Sequence, residues 1–200
     1  GIFLTMLFVA TGRRSYVLIG LLLFLAGSVV AYQLFGHVAR RVDVWLDPWA
    51  DPADAGYQVV RALYAFGRGG LFGEGLGQGL PTSIPYVSTD FMFAAVAEEL
   101  GMVGAAALLA LFLALVIRGL RVAILAHDDF SSMLAVGLTT SIGLQTLIIA
   151  GGNLKLIPLT GITLPWVSYG GSSLLASFLV VGLLLSISHR SAVAAGEAPP

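Results

Sequence analysis

The sequence contains no cysteine and few charged residues. Only 10% of its 200 residues are Asp, Glu, Lys or Arg, whereas soluble domains carry about 25%. Without cysteine, disulfides, thiolate nucleophiles and cysteine-based metal sites are excluded. The net charge is −1 and there is no basic run, so we expect no nucleic-acid partner. The three histidines are scattered, without the spacing of a helical metal site.

Long apolar stretches make up most of the chain. Hydrophobic residues account for 58% of it, and the mean hydropathy is +0.93. Four stretches lack Asp, Glu, Lys and Arg altogether: residues 15–39, 100–117, 130–154 and 156–188. A membrane-spanning helix needs about 20 predominantly apolar residues. The sequence therefore predicts an all-α integral membrane protein, a polytopic helical bundle with one long extramembrane loop.

The expected layout is a single membrane domain over residues 1–190. The predicted spans and connections are a partial span at 1–10, spans at 16–36, 91–117, 133–151 and 165–187, a long loop at 37–90, and a disordered tail at 191–200. The first segment has no basic region before it, so it resembles the end of a span rather than a signal peptide. We therefore expect the chain to be the C-terminal portion of a larger protein.

The long loop (residues 37–90) is too aromatic and apolar to be disordered. Within residues 56–66, Val59, Val60, Leu63 and Tyr64 have helical spacing, which predicts a short helix on the membrane surface. Seven glycines follow in residues 67–79 and argue against a helix there. This glycine run lacks phosphate-loop motifs. It is either a backbone that approaches other structure closely or a flexible turn.

Charge does not decide the orientation of the spans. The 10 basic residues divide evenly between the two predicted sides of the membrane, so the positive-inside rule favours neither orientation. The alternation of spans still places the long loop and the connection at residues 151–165 on the same side.

Asp90 is the last charged residue before the apolar part of the third span. An aspartate there can be a helix N-cap, favoured by the helix dipole, or a functional carboxylate. Glu98 and Glu99 follow at a depth where carboxylates are costly and often functional. At 100° per residue, Glu98 lies about 80° from Asp90. Glu98 is either a companion of Asp90 or one half of a charge pair with a neighbouring helix.

Two prolines and a glycine in residues 158–165 predict an irregular, re-entrant connection before the last span. The small residues that follow, at 168–173, either pack helices closely or contact a ligand. Lys155, the single lysine of the chain, can bind phosphate or extend to the membrane interface.

Several segments together resemble the SEDS family (shape, elongation, division and sporulation), which includes RodA, FtsW and SpoVE. The segments that carry the resemblance are residues 56–60, 69–77, 89–94, 98–101 and 158–174. Two departures leave the choice between RodA and FtsW types open. Ser88 stands where many members have His, and residues 153–158 are shorter than the form common in the family. We favour the RodA type.

The resemblance implies a peptidoglycan glycosyltransferase of the bacterial inner membrane. Such proteins polymerise lipid II and work with a class B penicillin-binding protein, with the long loop outside the cell and the C-terminus in the cytoplasm. The aspartate of the family's Thr-Asp-Phe motif is Asp90, which we expect to act as the base for the acceptor hydroxyl or to bind a divalent cation, Mg²⁺ or Mn²⁺.

The remaining predicted site residues have secondary roles. We expect Arg68, Lys155, Ser172 and Ser173 to contact the undecaprenyl-pyrophosphate-linked substrate, and Thr89 and Glu98 to support Asp90. This chain alone is expected to be inactive, because the family's N-terminal half is absent. Two alternatives stay open, a flippase for lipid-linked precursors and a non-catalytic membrane scaffold for the penicillin-binding protein.

Overall fold

The computed structural model describes residues 1–196, and this part of the chain is helical with no β-strand. The α-helices are α1 (Ile2–Thr11), α2 (Arg14–Leu34), α3 (Gly36–Leu46), α4 (Tyr57–Gly69), α5 (Met92–Ile124), α6 (Asp129–Asn153) and α7 (Gly171–Ala194). A single 3₁₀ turn occupies Pro81–Ser83. The predicted all-α fold is confirmed.

Helices α2, α5, α6 and α7 are long and apolar enough to cross a membrane, and α1 is a shorter apolar helix. The chain is therefore a multi-pass membrane protein. Some boundaries differ from the predicted ones. Helix α5 continues to Ile124 instead of ending near 117, and α7 begins at Gly171 instead of 165. The later start has a local cause, because Pro165 is followed by Trp166 in the left-handed conformation (φ 58°), which interrupts a helix.

Helix α7 also runs to Ala194, so the prediction of a disordered tail from residue 191 is wrong for its first four positions. The end of that predicted tail, residues 197–200, lies outside the described residues.

The core lies where α5, α6 and α7 meet. Phe112, Ile142 and Leu184 are buried together there, with Leu164 from the α6–α7 connection. Gly119 allows α5 to approach α6 closely, because a Cβ at this position would overlap the side chain of Thr139. Large apolar side chains cover the outward faces of the spanning helices, as expected for surfaces that meet lipid.

The long loop contains two helices rather than one. The prediction omitted α3, although Val38, Val42 and Trp45 recur at helical spacing. Helix α4 was predicted, and Val59 and Val60 of the expected stripe are buried, but the rest of its buried face differs from that stripe. Ala62 and Ala65 are fully buried against the start of α5, whereas Tyr64 is 53% exposed. The small alanine side chains permit the close approach of the two helices, and this decides which face is buried.

The glycine run docks into a break in α5. Gly101 has φ 70° and ψ −174°, which interrupts the helix. The loop supplies the missing backbone hydrogen bonds. The N–H groups of Glu74 and Gly75 donate to the carbonyls of Glu98 and Glu99, both at 3.0 Å. On the other side of the break, Met102 donates to the carbonyl of Gly70 at 2.9 Å and Val103 to that of Leu71 at 3.2 Å.

This docking decides between the two interpretations of the glycine run. A Cβ at Gly69 would overlap the carbonyl of Ala97, and one at Gly73 would overlap the carbonyl of Glu99. The run is therefore a backbone in close contact with α5 rather than a flexible turn. The expectation of no helix in residues 67–79 is wrong for the first three positions, which complete α4.

Candidate active site

Asp90 lies in a turn just before α5. Its backbone N–H donates to the carbonyl of Tyr86 at 3.0 Å, and the Thr89 hydroxyl donates to the same carbonyl at 3.1 Å. The N-cap of α5 is Phe91, whose own side chain makes no capping hydrogen bond, and the N–H of Ala94 in the first turn donates to Asn153 instead. The N-cap interpretation of Asp90 is therefore wrong, and its carboxylate does not cap α5.

The carboxylate of Asp90 lines a cavity of about 320 Å³, here named the Asp90 cavity. Its walls come from α3, α4, the end of α6 and the connection that follows α6. The polar and charged side chains in its lining are His37, Arg40, Arg41, Gln58, Asp90 and Lys155. Three permanent cations thus surround one carboxylate. Such a cavity suits a ligand that combines a strong anion with a group that must lose a proton.

Two side chains of α3 hold this helix against the α6–α7 connection. The Trp45 indole donates to the carbonyl of Lys155 at 3.0 Å. The Arg41 guanidinium donates to the carbonyls of Leu159 and Thr160 at 3.3 and 3.2 Å. Because both elements line the Asp90 cavity, these contacts hold two of its walls together.

Lys155 is held in an unusual backbone conformation beside Asp90. Its φ is 59°, a region that costs free energy for a residue with a side chain. Its ammonium donates to the carbonyl of Leu46 at 3.2 Å, which keeps the charge on the wall of the cavity.

Gly161 forms part of the cavity wall close to the carboxylate. A Cβ at Gly161 would lie 3.5 Å from Asp90 Oδ2. Its φ of 70° is readily adopted only by glycine. The carboxylate therefore faces backbone rather than a side chain on this side.

Glu98 forms an ion pair with a neighbouring helix. Its side chain is fully buried, and its Oε1 lies 3.2 Å from Nη1 of Arg68 in α4 and accepts from the backbone N–H of Leu80 at 3.1 Å. Of the two interpretations, the structure therefore shows the charge pair. Glu98 is not among the described residues that line the Asp90 cavity, and its support of Asp90 stays a prediction.

The other predicted residues divide into two groups. Lys155 and Asp90 share the cavity, whereas the structure does not bring Arg68 there. Ser172 and Ser173 begin α7, and the Ser173 hydroxyl pairs with that of Thr163 at 2.7 Å. Neither serine is among the described residues that line the Asp90 cavity.

A divalent cation would find one protein carboxylate in this cavity, that of Asp90. Across residues 1–196, no three His, Asp or Glu side chains come together as a ready-made metal site. Mg²⁺ in phosphate-transferring sites is commonly held by one or two carboxylates together with phosphates of the substrate. A divalent cation at Asp90 would therefore need most of its ligands from a phosphorylated substrate and water.

Sequence reasoning missed His37, Arg40, Arg41, Asn153 and Gly161. The helical spacing of α3 was a usable signal for the first three, because it places one face of that helix against the rest of the loop. Asn153 and Gly161 had no such signal, since their roles depend on contacts with Asp90 that only the tertiary structure creates.

Known sequences resemble this chain over nearly its whole length. The family profile described as "Cell cycle protein", FtsW/RodA/SpoVE, matches residues 1–193. The peptidoglycan glycosyltransferase RodA of Mycobacterium tuberculosis (strain H37Rv) is 53% identical over 187 residues, which cover 94% of this chain and 40% of that protein. Stage V sporulation protein E of Bacillus subtilis is 42% identical over 193 residues, which cover 96% of this chain and 53% of that protein.

A solved structure agrees with these matches. It is described as "Structural coordination of polymerization and crosslinking by a peptidoglycan synthase complex", and it superposes on 94% of this chain with a TM-score of 0.75 and 31% identity. The match covers 52% of that chain, so this chain spans about half the length of the proteins it resembles. The family profile, the sequence relatives and the fold agree, and the chain belongs to the FtsW/RodA/SpoVE family.

Proposed function

We propose that this chain carries the catalytic carboxylate of a RodA-type peptidoglycan glycosyltransferase that polymerises lipid II. The observation that carries the proposal is the Asp90 carboxylate, free of any capping role, in a cavity with three permanent cations. The names of the relatives as peptidoglycan glycosyltransferases support it. The higher identity to RodA than to the sporulation protein supports the RodA type.

In the proposed reaction, the C4 hydroxyl of one lipid-linked disaccharide attacks the anomeric carbon of another. The new bond joins the hydroxyl oxygen to the anomeric carbon, and the bond from that carbon to the pyrophosphate oxygen breaks. Asp90 accepts the hydroxyl proton as general base. The polyprenyl pyrophosphate leaves with the bonding electron pair, so its developing charge needs nearby cations.

The cavity offers Arg40, Arg41 and Lys155 for that charge. Lys155 keeps its predicted role as a pyrophosphate contact. The two arginines of α3 take the place predicted for Arg68, which does not line the cavity. The pair of Arg40 with Asp54 is exposed, so Arg40 can exchange that partner for a phosphate. A divalent cation held by Asp90 and the substrate would supply further charge neutralisation.

We also propose an orientation and a partner. The long loop and the Asp90 cavity face away from the cytoplasm, where lipid-linked disaccharides are polymerised, and α7 ends on the cytoplasmic side. The partner is a class B penicillin-binding protein, which crosslinks the glycan strands. The likeness to a synthase complex that couples polymerization and crosslinking supports this assignment.

The test is the glycan polymerisation rate of the full-length protein with its partner, supplied with lipid II. We expect Asp90→Asn to bind lipid II but to polymerise it at least about 100-fold more slowly, because a positioned general base contributes about 10²–10⁴-fold. Glu74→Gln, which neutralises an exposed acid of the same loop, is the matched control and should keep the wild-type rate.

Polymerisation by Asp90→Ala at the wild-type rate would contradict the catalytic role. Lipid II translocation by the same preparation, without polymer, would point to the flippase alternative. Normal cell-wall growth in cells that carry only Asp90→Ala would point to the scaffold alternative.

A further inference from the structure

Asn153 makes three hydrogen bonds at the start of α5. Its side chain is 1% exposed. Its Nδ2 donates to the carbonyl of Asp90 at 2.9 Å and to that of Ile149 at 3.1 Å. Its Oδ1 accepts from the backbone N–H of Ala94 at 3.2 Å. All three hydrogen bonds are to backbone groups. Two of these groups, those of Ala94 and Asp90, belong to α5 and to the turn before it.

Two of these partners, the carbonyl of Asp90 and the N–H of Ala94, would bond to each other if α5 began earlier. In a regular helix, the N–H of residue 94 donates to the carbonyl of residue 90. Here the carboxamide of Asn153 lies between them, and the first regular bond of the helix runs from Ala95 to Phe91 at 3.1 Å. Phe91 itself has non-helical angles, φ −116° and ψ 21°. The amide therefore replaces one helical hydrogen bond and leaves Asp90 outside the helix.

We propose that Asn153 is a positioning residue for Asp90, whose backbone it holds out of α5 so that the carboxylate enters the Asp90 cavity. This inference rests on the proposed catalytic role of Asp90. Asn153 is the last residue of α6, and Lys155 follows two positions later. The same short segment thus fixes the carboxylate and one of the cations that face it.

Only a carboxamide satisfies the backbone groups at this position. Aspartate keeps the size and the acceptor for Ala94 but, when ionised, offers no donor to the carbonyls of Asp90 and Ile149. Leucine keeps the approximate volume and offers neither donor nor acceptor. With either replacement, we expect the turn to relax towards a regular helix in which Ala94 donates directly to Asp90, which would rotate the carboxylate away from the cavity.

The test compares Asn153→Leu and Asn153→Asp in the full-length protein with its partner and lipid II. We expect kcat to fall by about 10- to 100-fold with KM changed by less than about threefold, because a displacement of about 1 Å can cost about 100-fold in rate while binding groups stay in place. Thr146→Val is the matched control. It removes a buried hydroxyl of the same helix that bonds only within α6, and its kcat should stay within about twofold of wild type, since no group near Asp90 is disturbed.

The split between kcat and KM separates positioning from a simple loss of packing. A mutation that only loosens the packing lowers the amount of folded protein, and kcat per folded molecule stays at the wild-type value. A displaced carboxylate lowers kcat in the folded protein while KM is retained, because Asn153 does not line the Asp90 cavity.

A wild-type kcat in folded Asn153→Leu or in folded Asn153→Asp would overturn the inference. Asp90→Asn is assayed in parallel. If it keeps full activity, the proposed function fails first. If it is inactive while the Asn153 variants polymerise normally, the proposed function stands and the positioning role alone is wrong.

Discussion

Glu98 and Arg68 form a buried ion pair whose two halves differ in exposure. The Glu98 side chain is fully buried and that of Arg68 is 35% exposed. The second carboxylate oxygen of Glu98 has no hydrogen-bond partner among the described residues. Removing the arginine therefore leaves a buried charge without compensation, whereas neutralising the glutamate leaves a cation that can reach water.

Arg68→Ala should lower the free energy of unfolding by about 3–5 kcal/mol, the usual cost of breaking a buried pair from one side. Glu98→Gln keeps an acceptor for the Leu80 N–H and should cost only about 1–2 kcal/mol. Denaturant unfolding in detergent measures both. The exposed pair of Arg40 and Asp54 (64% and 79% exposed) is the control, and Asp54→Asn should cost less than about 1 kcal/mol. Equal losses for Arg68→Ala and Asp54→Asn would contradict the prediction.

Among single residues, the sequence predicted those whose residue type and position along the chain indicate their chemistry. Asp90 and Lys155 are charged residues at the ends of apolar stretches, and the structure brings them together. Nothing in the sequence distinguishes Asn153 from other amide residues. Its importance comes from the missing hydrogen bond between Ala94 and Asp90 at the start of α5, which its side chain replaces. No sequence pattern within α6 indicates that this bond is missing.

The break in α5 depends on a single glycine. Gly101 combines a left-handed φ of 70° with close contacts, since a Cβ there would overlap the carbonyl of Leu71 and the N–H of Gly73. An added methyl group would therefore strain the backbone and push the docked loop away from α5.

Gly101→Ala should lower the free energy of unfolding by at least about 2 kcal/mol, a fall of about 4 °C or more in Tm for a chain of this size. Gly182→Ala is the matched control, because within residues 1–196 nothing lies within 4 Å of a Cβ built on that helical glycine. It should be neutral or stabilise by up to about 1 kcal/mol. Thermal unfolding in detergent gives both values, and a neutral Gly101→Ala would refute the role of the break.

Helix α6 has a charged N-cap at the opposite end from the Asp90 cavity. Asp128 accepts the backbone N–H of Ser131 at 2.8 Å and its hydroxyl at 2.7 Å. These two hydrogen bonds hold the pKa of the Asp128 carboxyl below its usual value. The folded state therefore binds this proton less readily than the unfolded state, and the cap stabilises α6 fully above the unfolded pKa of about 3.9.

The stabilisation by Asp128 should disappear as the pH falls through its lowered folded-state pKa. Asp128→Asn keeps a capping side chain but has no charge to titrate. The difference in Tm between wild type and Asp128→Asn should therefore be positive at about pH 6 and shrink towards about pH 3. A difference that is constant across this range would show that the charge of Asp128 contributes nothing.

The sequence predicted the existence of the spanning helices better than their ends. Apolar composition indicates which residues can lie in lipid, but it does not indicate where a helix ends, since α5 and α7 continue past their uncharged stretches to Ile124 and Ala194. The start of α7 was misplaced because Trp166 and Pro165 are apolar yet irregular. Helix α3 was missed because its charged residues are as typical of a polar loop as of one face of an amphipathic helix.

For the arrangement of the helices as a whole, the orientation is directly testable, because these 200 residues contain no cysteine that would compete with an introduced one. Ala50 is exposed in the long loop, and His127 is exposed in the turn between α5 and α6. In intact cells, a membrane-impermeant maleimide should label Ala50→Cys. It should label His127→Cys only after the membrane is permeabilised, because the proposed orientation places that turn in the cytoplasm. The reverse pattern would invert the topology and contradict the proposed site of polymerisation.

Membrane class and helical fold followed from composition, since long uncharged stretches have few other stable solutions. The orientation did not, because the basic residues are evenly divided. The arrangement of the Asp90 cavity also depends on contacts between segments far apart in the chain, such as Trp45 with Lys155, which no local pattern encodes.

The break at Gly101 divides α5 into two lengths. Residues 102–124 provide about 23 residues of helix, roughly 35 Å, which alone is enough to cross a hydrocarbon layer of about 30 Å. Residues 92–100 add about 13 Å of helix on the Asp90 side of the break. Under the proposed function, a substrate anchored by its lipid tail presents its diphosphate at the headgroup level, and this added length is what would bring Asp90 to it.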